Sequence, residues 1–145
     1  MNDVQLPGSL SEAIATEPLW LQGWVMLLVL VHVAALAFAM HRERGRWRVR
    51  MPPIAIVVSF VAAAVVMNWL FEQVGYVRLL GLGHLLAWTP VYLWILLQRR
   101  RFDAHTAYGK YIAAYLVIAG ISLVIDAADV LRYLAGDGDL FQRWS

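Results

Sequence analysis

The residues of this chain that could do chemistry are a histidine and two acids set inside apolar runs: His84, Asp126 and Asp129. A charge at the centre of a bilayer costs about 2.5–3.5 kcal/mol on insertion scales, so such groups face a protein interior or water. Placing each apolar run by its midpoint puts His84 and Asp126 at one level, about 5 Å outward of the midplane at 1.5 Å per residue. Asn68 and Asp129 come to about 8–9 Å, and Glu72, Arg78 and Arg132 to about 14 Å, on the same side. A histidine and a carboxylate at one depth are what a proton relay needs. At 100° per residue, Tyr108, Tyr111, Tyr115, Ser122, Asp126, Asp129 and Tyr133 fall within one arc of about 60°. A stripe that narrow faces a bundle centre or a second subunit. His84 shares a face with Gly81, Trp88, Val91 and Gln98, while Gly81 and Gly83 leave room beside it. These residues predict an outward-opening polar pocket lined by Asn68, Glu72, His84, Asp126 and Asp129 and closed inward by apolar residues. The alternative is structural: Asp126, Asp129, Arg132, Glu72 and Arg78 as an ion-pair network, with Asp129 and Arg132 three apart on one helix.

Four apolar stretches position these groups. They run from Leu19 to Met40, Pro52 to Gln73, Val77 to Gln98, and from about 108 to Ala135. A span of twenty-two residues reaches about 33 Å, enough for a hydrocarbon core of about 30 Å. Pro52 and Pro53 suit a first helical turn, Asp103 suits the N-cap of the fourth helix, and Gly136 suits its stop. Gly75 marks a short turn that makes the second and third spans a hairpin. Pro90 frees the carbonyl of Leu86, which Thr89 can compensate. Ala113, Gly120 and Ala127 form a small-residue line suited to close helix approach. The chain has 145 residues, 61% of them hydrophobic and 15% charged, against about 45–50% and about 25% in soluble domains. That composition excludes a disordered chain and a nucleic-acid module. Zero cysteines exclude thiol catalysis, thiolate metal sites and a disulfide scaffold. The expected fold is all-α: one polytopic domain of four transmembrane helices in an antiparallel bundle.

The basic residues orient it. Arg42, Arg44, Arg46, Arg48, Arg50, Arg99, Arg100, Arg101 and Lys110 are nine of the twelve Lys and Arg, and they fall in two loops on one side. Arg78, Arg132 and Arg143 fall on the other. Both termini are therefore expected outside, with the chain in a bacterial inner membrane. Residues 1–18 carry Asp3, Glu12 and Glu17 with no basic residue, so no cleaved signal peptide is expected. Ser9 to Glu12 has capping-box spacing and suits a short interfacial helix. The Arg42–Arg50 ladder could bind anionic lipid; ordinary positive-inside topology explains it as well. Its alternation hints at a strand, but a ten-residue loop without a pairing partner argues for a loop. Trp20, Trp24, Trp47, Trp69 and Trp94 are read as interfacial anchors.

The size and four-span plan resemble small multidrug resistance transporters, which carry an acid in the first span where this chain has only His32. The plan is also similar to four-span b-type cytochromes, and His32 and His84 are the haem-ligand candidates that this resemblance implies. Their predicted depths differ by about 9 Å. His32, on a face with Leu28, Ala35 and Ala39, reads instead as a packing histidine. The leading expectation is a non-enzymatic channel or transporter, in a homo-oligomer, passing protons or cations along an Asp-, His- and Tyr-lined path. The alternatives are an accessory subunit docking on a membrane-protein partner and a haem or quinone anchor. No cofactor and no metal are expected.

Overall fold

The computed structural model describes residues 7–137, and Asp3 and Arg143 lie outside them. Ser9 accepts from the amide of Glu12 while the Glu12 carboxylate accepts from the amide of Gly8, and together they start α1 (Leu10–Ala15). The first long helix is α2 (Leu19–Val33), continued after Ala34 by a single turn, α3 (Ala35–Phe38). The second is α4 (Met51–Val74), with prolines in its opening turn where no intrahelical amide is needed. The third begins with a 3₁₀ turn at Arg78–Leu80 and continues as α5 (Gly81–Leu97), which passes through Pro90 unbroken. The fourth is α6 (Ala107–Leu134). All four are long and apolar enough to cross a membrane. Their outer faces carry large exposed apolar side chains, among them Leu30, Val65, Leu93 and Val124, which suits contact with lipid tails.

Two local expectations are corrected. Thr106, not Asp103, caps α6: its Oγ1 accepts from the amide of Gly109 at 3.0 Å. Asp103 instead accepts from the amide of His105 and shapes the turn before the cap. The arginine ladder is not a loop. It folds as β1 (Met40–Glu43) and β2 (Arg46–Val49), an antiparallel pair in which each half partners the other. Arg44 and Gly45 both have positive φ, 48° and 80°, the geometry of the two-residue turns that match hairpin twist. The fold is mostly helical, consistent with the expected all-α bundle, and adds one small hairpin between the first two long helices.

The core has three storeys. Near the hairpin end, Val31, Ala35, Ile56, Ile95, Tyr111, Ile112, Tyr115 and Ala119 pack together. Toward the opposite end lie Leu28, Ala63, Trp88 and Leu123. At that far end α1 rests on the α4–α5 turn through Leu10, Leu70 and Leu80. Gly75 takes a φ of 76° there, so a residue with a side chain would be strained. The end of α6 closes with the amide of Asp137 donating to Arg132 and that of Gly136 donating to Tyr133, the paired bonds of a Schellman turn.

Candidate functional site

The face of α5 that carries Gly81, His84 and Trp88 meets the face of α6 that carries Ser122, Asp126 and Asp129. Gly81 permits the approach, since a Cβ there would lie 3.0 Å from both Cβ and Oδ1 of Asp126. On the other side Gly83 lies against Met67 and the backbone of α4, and an added methyl would collide with Met67. At the junction Nδ1 of His84 donates to Oδ2 of Asp126 at 2.8 Å, with both side chains mostly buried. Committing Nδ1 to the carboxylate leaves Nε2 as the nitrogen available for exchange. Ser122 Oγ lies 3.4 Å from the same Oδ2 and adds a longer hydrogen bond.

This pair borders a cleft of about 590 Å³ between α1, α2, the start of α5 and the far half of α6. Its walls are chiefly apolar, including Trp20, Trp24, Leu27 and Ile125. Its polar lining includes Glu17, Arg78, His84, Ser122, Asp126 and Asp129. Glu17, at 6% exposure, accepts from the Tyr76 hydroxyl at 2.7 Å and so ties the N-terminal segment to the α4–α5 turn. Arg78 donates to Asp129 at 2.8 Å and to Asp137 at 3.0 Å. The guanidinium thereby fastens the start of α5 to the end of α6.

Below the His84–Asp126 pair the interior is closed by an aromatic stack. Trp88, 1% exposed, has its ring centre 4.0 Å from that of His84 and 4.3 Å from that of His32. The Trp88 indole packs against both histidine rings. His32 Nδ1 bonds the Leu28 carbonyl at 2.7 Å, and Phe60 stacks on its ring at 5.1 Å. That environment is the one expected of a packing histidine. Among the described residues His32 Nε2, His41 Nδ1, Trp88 Nε1 and the hydroxyls of Tyr108 and Tyr115 are buried without a hydrogen-bond partner.

The remaining sequence candidates divide. Asn68 and Glu72, expected in the pocket, are exposed on α4 and absent from the cleft lining. The Asn68 amide bonds the Ala64 carbonyl of its own helix, which satisfies it without a pocket. Arg132 does not pair with Asp129; its exposed guanidinium reaches Asp137 at 3.1 Å, because Arg78 already occupies Asp129. Tyr115 is fully buried in the hairpin-side core, and Tyr133 is half-buried at the far end of α6. Neither lines the cleft. Ala113 is exposed and Gly120 faces Tyr92, so the small-residue line is not one continuous contact within the chain. Trp24 and Trp20, read as anchors, also form the cleft wall. That role was hidden because the wall is completed by α1 and the α4–α5 turn, distant in sequence.

No family model matches this chain, and no curated protein or solved structure matches it either.

Proposed function

We propose that this is a small membrane carrier in which the His84–Asp126 pair exchanges protons with the far-end cleft. The observation that carries the reading is a 2.8 Å imidazole–carboxylate contact at the edge of a cleft in a chain of four membrane-length helices. Mobile protons need paired groups of this kind, and buried ionisable side chains within membrane segments commonly mark such paths. Three cleft carboxylates, Glu17, Asp126 and Asp129, stand against one guanidinium, Arg78, which favours cations over anions. Trp88 seals the interior directly below His84, which supports a gated carrier rather than an open pore. In this reading the hairpin end faces the cytoplasm of a bacterial host, the cleft opens outward, and copies associate in the inner membrane.

The test is proton flux into proteoliposomes, followed with a pH dye trapped in the lumen. His84→Gln is expected to lose the flux, whereas Trp88→Ala, which removes the seal, is expected to raise the passive leak. Equal flux in wild type and both variants would reject the reading. The apolar cleft walls favour one other function, an anchor holding a quinone ring between them. Saturable quenching of tryptophan fluorescence by a short-chain quinone, lost in Trp24→Leu, would point there.

A further inference from the structure

The hairpin between the first two membrane-length helices takes no part in the carrier reading, yet it is strongly patterned. Its register pairs Met40 with Val49, His41 with Arg48, Arg42 with Trp47 and Glu43 with Arg46. Directly opposed residues share a face and successive residues alternate. One face therefore carries Met40, Arg42, Trp47 and Val49, and the other carries His41, Glu43, Arg46 and Arg48. Met40, Trp47 and Val49 are 54%, 67% and 59% exposed, so each is more open than covered. Topology alone asks only for positive charge in this loop; it does not ask for Met40, Trp47 and Val49 to gather on one face beside Arg42.

The hairpin is also held at a fixed height. β1 starts two residues after α3 ends, and β2 is followed by Arg50 and then at once by α4. The amide of Arg50 donates to Ala39 at 2.8 Å, and its guanidinium lies 4.4 Å from the centre of the Tyr108 ring on α6. Both strands are thus tied to the ends of apolar helices, at the level where lipid head groups begin. Four arginines, Arg42, Arg44, Arg46 and Arg48, stand against one acid, Glu43, whose 3.7 Å bridge to Arg48 is exposed and weak. Arg99, Arg100 and Arg101 add exposed charge in the other loop assigned to this side.

We infer that the hairpin is an amphipathic clip for anionic phospholipid. Met40, Trp47 and Val49 enter the boundary between head groups and acyl chains, and Arg42, Arg46 and Arg48 hold phosphate groups. Aromatic and aliphatic side chains beside basic ones suit that layer, and the arginine fork matches phosphate geometry. An acidic protein surface would satisfy the arginines but leave the Trp47 face uncovered at membrane level.

The chain has no cysteine, so a single introduced one takes a single spin label. Val49→Cys reports the apolar face and Glu43→Cys the polar face. Each labelled full-length protein goes into phosphatidylcholine vesicles with and without about one third phosphatidylglycerol, and oxygen and water-soluble nickel accessibilities are compared. With phosphatidylglycerol, the label at 49 is expected at membrane depth and the label at 43 in water. Replacing Arg42, Arg46 and Arg48 together by Gln is expected to cut phosphatidylglycerol retention about tenfold, and replacing them by Lys to restore most of it. The helical circular dichroism of these variants serves as the folding control. Equal accessibility at the two positions would overturn the inference, and so would immersion of position 49 that ignores both phosphatidylglycerol and the Gln substitutions.

Discussion

His84 and Asp126 stabilise the bundle only as a pair, because either alone would leave a polar group poorly solvated at that depth. Asp126→Ala is expected to cost about 1–3 kcal/mol of stability in detergent, read from thermal unfolding. The double variant His84→Phe with Asp126→Leu, which replaces both partners by apolar groups, is expected to recover most of that loss. A double variant no better than the single one would mean that packing, not pairing, holds the junction. His32 offers the contrasting case. It stacks on Trp88 and Phe60 and bonds only its own helix, so His32→Phe should change stability by less than about 1.5 kcal/mol. A larger loss, or loss of flux with stability intact, would place His32 on the working path. The level shared by His84 and Asp126 was legible in the sequence, since depth follows from counting residues along a helix. Direction around the helix axis was not. Asn68 and Glu72 have the right height and the wrong azimuth, and a hydrophobic helix such as α4 gives little periodic signal to rotate it by.

Elements are held together by close approach at the start of α6 and by Arg78 at its far end. Gly109 lies against the backbone carbonyl of Asp103, which cannot move aside without unwinding the turn that starts α6. Gly109→Ala should therefore lower stability by about 1–3 kcal/mol, whereas Gly23→Ala, in open space, should not. Arg78→Gln removes both charged contacts between the start of α5 and the end of α6, and its melting temperature should fall more at low salt than at high salt. A salt-independent loss would argue that Arg78 acts by packing alone. The four long helices were legible because twenty apolar residues in a row leave few other solutions. The hairpin was less legible, although alternating arginines around Arg44-Gly45 carry its signal, because each half of the ladder is the other's only partner in the sheet. The cap of α6 was missed for a related reason, since Asp103 and Thr106 both suit an N-cap and only the turn geometry separates them.

At the scale of the molecule, four antiparallel helices put the hairpin and the Arg99–Arg101 turn at one end and the cleft at the other. Reporter fusions should show both termini on the outer side and position 45 on the inner side. A reversed result would turn the cleft toward the cytoplasm and change what it can bind. The cleft itself was only half legible. The α5 and α6 contributions followed from helical spacing, but the wall supplied by Trp20, Trp24 and the α1 segment arises from tertiary packing. The most direct test of the central claim is proton and cation flux in proteoliposomes across pH 5 to 8, with wild type beside Asp126→Asn, which keeps the shape and loses the charge. The account predicts pH-dependent flux in wild type and none in the variant. Undiminished flux in Asp126→Asn, or no flux in a well-folded wild type, would contradict it.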